Sequence, residues 1–136
     1  MRVTVLSPDL SSNCLGRALA LAHVLSLDHQ VRIVGPLLGR ELWAPARNES
    51  VELVTFPGGP WPSFATSVRS LIRELDGEVL VAVKPRFPSL GVALLARRRL
   101  GRPVVLDMDD DETALKPVPS RPRALAGDLL SPDGGF

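Results

Sequence analysis

The feature that most constrains this chain is a repeated switch between two hydrophobic periods. Continuous apolar runs rich in β-branched residues begin at Arg2, Gln30, Val51, Val79 and Val104, and each is closed by a proline, a glycine or a charged cluster. They read as buried strands: Arg2 to Ser7 ended by Pro8, Gln30 to Val34 stopped by Gly35-Pro36, Val51 to Phe56, Val79 to Val83, and Val104 to Asp107 opened by Pro103. Between them the apolar residues recur at helical spacing. Ala18, Leu21, Ala22 and Leu25 share one face of a helix that begins near Cys14, with Ser11, Ser12 and Asn13 as N-cap residues. Phe64, Val68, Leu71, Ile72 and Leu75 share a face of a second helix, for which Gly77 is the expected stop. Ser89 is the expected cap of a third, running to Leu100, where Arg97, Arg98 and Arg99 suit the negative end of the helix dipole and Gly101 terminates it.

Continuous rather than alternating apolar strands mean burial on both faces, so the expected fold class is α/β: a doubly wound, Rossmann-like parallel sheet. Right-handed crossovers lead to the strand order 3-2-1-4-5, with helices on both sides. The core is expected to include Val5, Leu21, Leu71, Ile72, Val81 and Val105. This domain accounts for residues 1–112. Residues 113–136 carry Pro117, Pro119, Pro122 and Pro132 and end Asp-Gly-Gly-Phe, and so read as a Pro-rich tail, a linker or a disordered segment.

Bulk composition removes several function classes. A net charge of +1 is not the basic footprint of a nucleic-acid binder, and 4% aromatics with no tyrosine leave little for base stacking. Cys14 is the single cysteine, which excludes an internal disulfide and a cysteine-rich metal site. The opening apolar run is too short for a signal-peptide core, and breakers interrupt every other run before the roughly 18 residues of a spanning helix. The expected location is the cytoplasm, with contact at the inner membrane face left open by the three consecutive arginines.

In an open parallel sheet, ligands bind outside the carboxyl ends of the strands. Those ends carry Ser7-Pro8-Asp9, Gly35-Pro36, Pro57-Gly58-Gly59, Lys84-Pro85-Arg86 and Asp107-Met-Asp-Asp-Asp-Glu112, so the unusual clusters fall on one edge. The loop after the first strand has one glycine, Gly16, and the second strand ends in Gly-Pro. Neither the dinucleotide fingerprint nor a Walker A loop is present. Gly16 at a helix start is compatible with a phosphate cradle and equally with close packing. Asp107-Met-Asp109 has the D-x-D spacing of metal-dependent transferases, and neutralisation by Lys84 or Arg86 is the structural alternative. Glu41 and Glu49 stand in E-x7-E spacing, read as coincidence, and His23 and His29 read as ordinary helix and turn residues.

The order of these segments resembles the N-terminal half of family 4 glycosyltransferases of the GT-B fold. The resemblance rests on the first strand with Ser7 to Ala18, on His29 to Pro36, on Val81-Ala-Val-Lys84-Pro85 and on Pro103 to Asp110, and covers about residues 1 to 112. It implies a retaining transfer of a glycosyl group from a nucleotide sugar to the hydroxyl of a glycan or lipid-linked acceptor, with no obligate metal or other cofactor. In its terms Gly16 would approach the donor diphosphate, while Lys84, Pro85, Asp109 and Asp110 would line the acceptor side of the cleft. Many members place a histidine near the position of Lys84, and this chain departs from them. The donor-binding second domain is not among these residues. The expectation is therefore half an enzyme, truncated, frame-shifted near Asp110, or completed by a separate C-terminal glycosyltransferase chain. The alternative is a non-enzymatic remnant or binding module on the same fold.

Overall fold

A computed structural model describes residues 1–59 and 62–109. The strands are β1 (Arg2–Leu6), β2 (Gln30–Leu37), β3 (Glu52–Pro57), β4 (Val79–Val83) and β5 (Val104–Asp107), and the helices are α1 (Cys14–Leu25), α2 (Ser63–Glu74) and α3 (Val92–Leu100). All five strands are parallel, in the order β3-β2-β1-β4-β5. This is the expected doubly wound topology.

Two cores follow from the alternation of side chains across the pleat. On one face Leu6, Val34, Leu80 and Ala82 meet Phe64, Val68, Leu71, Ile72 and Leu75 of the α2 region and Val92, Ala93 and Ala96 of α3. On the other, Val3, Val5, Ile33, Val81 and Val83 meet Leu15, Ala18, Leu19 and Ala22 of α1, with Leu42, Trp43 and Ala46 from the β2–β3 connection. That connection contains a short 3-10 turn, Ala44–Ala46.

Val5, Leu71, Ile72 and Val81 are buried, and Leu21 is partly buried against the α1 core. Val105 is not: it is 51% exposed. On the α1 side of the sheet, α1 reaches β2, β1 and β4, while β5 at the edge is left under-covered among the described residues. An apolar groove of about 300 Å³ runs there between Leu21, Leu25, Val79, Val81 and Val105. Periodicity shows that β5 is apolar, but cannot show which half of a face the helices reach.

Three local expectations are corrected. β2 does not stop at Gly35-Pro36 but runs to Leu37, with Gly35 beside Thr55 and Pro36 beside Phe56 of β3. β1 has ended by then, so this stretch is an edge toward β1 and tolerates a residue with no N–H. Gly77 does not cap α2, whose C-cap is Leu75. A Cβ at Gly77 would lie 2.5 Å from the Thr4 backbone nitrogen, so the glycine is required by close approach to β1. Ser89 does not cap α3; it lies inside a π-helical turn, Phe87–Gly91, that precedes the helix. Gly101 does end α3 in the left-handed conformation, at φ 67°. The 113–136 segment lies outside the described residues. Among the described residues no helix is long and apolar enough to cross a membrane.

Candidate functional site

β1 is the point where the order of connection reverses, because β2 lies on one side of it and β4 on the other. The chain therefore leaves β1 and β4 toward opposite faces, and in sheets of this kind the crevice between two such loops, at the carboxyl edge, is the usual ligand position.

The β1 loop is stitched across β2. Ser7 N donates to Val34 O at 3.0 Å and Leu10 N to Pro36 O at 2.8 Å. Asp9 Oδ1 accepts from Ser11 N at 2.8 Å, from Ser11 Oγ at 2.6 Å and from Leu38 N at 3.3 Å, while Ser11 Oγ accepts from Gly39 N at 2.7 Å. Partial burial pushes the Asp9 carboxyl up. The hydrogen bonds from Ser11, Ser12 and Leu38 outweigh it and hold the group below its ordinary value. Asp9 is thus a clamp between two loops. Its sequence signal is the Asp-x-Ser spacing of an Asx turn.

Gly16 sits in the first turn of α1. The N–H groups of Leu15 and Gly16 are bonded to Ser12 O and Asn13 O, at 3.1 and 3.0 Å. The space beside its Cα is taken by the Trp43 indole, 3.0 Å from where a Cβ would lie. The packing role of Gly16 is visible; in this arrangement its amide is satisfied within the chain.

On the far side of the crevice, two ion pairs order the acidic cluster. Arg17 on α1 grips Asp107 at the end of β5 through two bonds, Nε to Oδ2 at 2.8 Å and Nη2 to Oδ1 at 2.7 Å. The hydrogen bonds from Arg17 hold the Asp107 carboxyl below its ordinary value against the opposing effect of burial, and Asp107 raises Arg17 in return. Lys84 Nζ lies 3.6 Å from Asp109 Oδ1. Lys84 thus meets this cluster, as the alternative to metal binding requires, and it is joined by Arg17, which the strand-end residues alone do not suggest. Both oxygens of Asp107 face a guanidinium, so this carboxylate would have to give up Arg17 before it could serve as a D-x-D ligand. Among the described residues, no cluster of three or more acidic, histidine or cysteine side chains has metal-binding geometry. Nothing in the sequence links Arg17 to a residue ninety positions on; only the fold does.

Lys84 is the one described residue other than glycine with a positive φ, 64°. A side chain in that region costs about 1–2 kcal/mol and persists only where its surroundings fix it. Lys84 N donates to Asp107 O at 2.9 Å, and Lys84 O accepts from Arg86 N at 2.9 Å and from Ser89 Oγ at 2.8 Å. Pro85 is buried beneath this turn. The result aims a largely buried lysine side chain, 17% exposed, at Asp109.

The structure therefore brings Lys84, Pro85 and Asp109 together at one corner and places Gly16 under Trp43; Asp110 lies outside the described residues. Glu41 and Glu49 do not approach the crevice chemistry: Glu41 pairs with Arg47, and Glu49 with His23 at 2.9 Å. An open, polar concavity of about 770 Å³ lies at the opposite edge, between Met1-Arg2, the turn Ser26–Gln30 and Glu78. It is far from these groups, and the carboxyl edge is the better candidate because the strained Lys84 backbone is there and parallel sheets bind ligands at that edge. No family model, no curated protein and no solved structure matches the chain.

Proposed function

We propose that this chain is the acceptor-side, N-terminal half of a family 4 glycosyltransferase of the GT-B fold, acting on a nucleotide sugar and a glycan or lipid-linked acceptor. The observation that carries the reading is the Lys84 turn. The Lys-Pro step of the resemblance stands in a strained conformation at the crevice, with its ammonium group against Asp109. Strain of this kind is concentrated where side chains are aimed at ligands. A buried lysine beside a carboxylate can hold acceptor hydroxyls, and it can meet a phosphate when the carboxylate gives way.

Transfer needs the diphosphate held, its developing charge stabilised and the acceptor hydroxyl fixed against the anomeric carbon. Residues 1–109 offer one wall of such a cleft. A second domain, on the same polypeptide or on a separate chain, would bind the base and ribose and exclude water. On this reading the 136-residue chain shows no turnover by itself and binds nucleotide sugars weakly. Calorimetry with a panel of nucleotide sugars tests it, together with a product assay on lipid and sugar acceptors. Weak binding that is lost in Lys84→Ala supports the reading. Turnover by the chain alone, abolished by chelator, overturns it in favour of D-x-D metal chemistry.

One observation favours the second reading, a non-enzymatic binding module. The first turn of α1 has its Leu15 and Gly16 amides satisfied internally, and Trp43 covers Gly16. A donor diphosphate would have to displace that indole. Absence of any nucleotide-sugar binding, with Trp43 fluorescence unmoved, would decide for this second reading.

A further inference from the structure

We infer that Ser89 is a positioning residue, whose buried hydroxyl holds Lys84 in its left-handed backbone conformation and so sets the lysine ammonium against Asp109. This inference rests on the proposed role of Lys84. Ser89 is fully buried. Its Oγ donates to Lys84 O at 2.8 Å and, more weakly, to Arg86 O at 3.2 Å.

The reach is made by the π turn. Arg86 O accepts from the amides of Ser89, Leu90 and Gly91, at 3.2, 2.8 and 3.3 Å, which folds residues 89–91 back over residues 84–86. Gly91 allows this, since a Cβ there would lie 2.6 Å from the Phe87 ring, and Phe87 in turn packs edge-on against Phe64 with ring centroids 6.4 Å apart. An ordinary α-helical start at residue 89 would send the hydroxyl forward to the helix amides. The wider turn sends it backward instead. π turns of this type occur disproportionately at functional sites.

Lys84 is also the residue before a proline, a position whose backbone is already restricted by the proline ring. Asp107 O fixes its amide, and its carbonyl, the other handle on its backbone, is held by Arg86 N and Ser89 Oγ. Removing the hydroxyl takes away one of those two bonds to the carbonyl. The turn can then relax toward the extended conformation that residues before proline prefer, and the ammonium leaves Asp109.

The test uses the full chain with its two lysines, Lys84 and Lys116, converted to 13C-dimethyl-lysine, which keeps their charge. The Lys84 methyl resonance is assigned by its loss in Lys84→Ala and titrated with inorganic diphosphate as the probe. In Ser89→Ala that resonance is expected to move to the position of a solvated lysine, and Ser89→Thr to restore it. Diphosphate affinity is expected to fall about threefold to tenfold in Ser89→Ala, as the loss of one hydrogen bond implies. If Ser89→Ala fails to fold, Ser89→Cys, similar in size and a weak donor, carries the same comparison. An unmoved Lys84 resonance in the folded variant overturns the inference. Failure of diphosphate to shift Lys84 in the unsubstituted chain counts against the proposed function alone, because the resonance still reports whether Ser89 positions the lysine.

Discussion

Replacing Gly35 by alanine puts a methyl group where the loop after β1 crosses β2. A Cβ there would lie 2.5 Å from the Ser7 carbonyl oxygen and 3.2 Å from Leu10 Cγ. Relaxed contacts between carbon and a carbonyl oxygen run about 3.3–3.6 Å, so the oxygen has to retreat by roughly 0.8 Å or more. It cannot do so cheaply. The Ser7 and Leu10 amides bond to Val34 O and Pro36 O on either side of Gly35, and the Leu10 side chain is fully buried. Weakening two backbone hydrogen bonds costs about 1 kcal/mol each, and crowding the core about 1 kcal/mol more. Against this, alanine reduces the freedom of the unfolded chain by about 0.4–1 kcal/mol. The expected net loss is about 2 kcal/mol. Urea unfolding of the full chain, followed by circular dichroism, should show a lower midpoint at unchanged slope, and the melting temperature should fall by about 6–12 °C. Gly59→Ala is the comparison, because the close neighbour of its Cβ is a side-chain atom, Ser63 Oγ at 3.0 Å, rather than backbone; it should cost clearly less than Gly35→Ala. A Gly35→Ala chain as stable as the parent, or more so, would refute the argument from close approach.

Leu71→Ala should cost about 2–5 kcal/mol by the same unfolding assay, since the side chain is fully buried between α2 and the sheet. Gly101→Ala meets no atom but forces φ 67° on a side chain, and should cost about 1 kcal/mol. Asp9 and Asp107 are both held below their ordinary values, so their contribution is complete above the unfolded-state carboxylate range and is lost as pH falls through their folded values. Stability should therefore hold between about pH 6 and 5 and decline progressively below that. Carboxyl 13C titration should place both groups below the ordinary aspartate value, and Arg17→Met should return Asp107 upward without moving Asp9. An Asp107 that titrates normally in the parent chain would contradict the bidentate pair.

The parallel sheet, its order and the helices around it were determined by the sequence itself. Continuous strands such as Val79–Val83 need cover on both faces, and a face such as Phe64, Val68, Leu71 and Ile72 supplies it; handedness then leaves one economical topology. The sequence pattern also gathers Lys84 and Asp109 at one edge, because every strand of a parallel sheet ends on the same side. What it could not decide were relations with no local signature. Arg17 meets Asp107 across ninety residues, Trp43 closes over Gly16, and Gly77 is needed for Thr4 rather than for its own helix. Val105 carries the residue type of a core position, yet lies exposed because coverage depends on where α1 ends up, not on the strand. Ser89 is the sharpest case. As a cap and as a clasp it would be the same residue in the same sequence, and only the width of the turn, set by Gly91 and Phe87 packing against Phe64, directs its hydroxyl to Lys84. Periodicity reports which residues must avoid water; which polar groups then meet is settled by the three-dimensional path of the backbone.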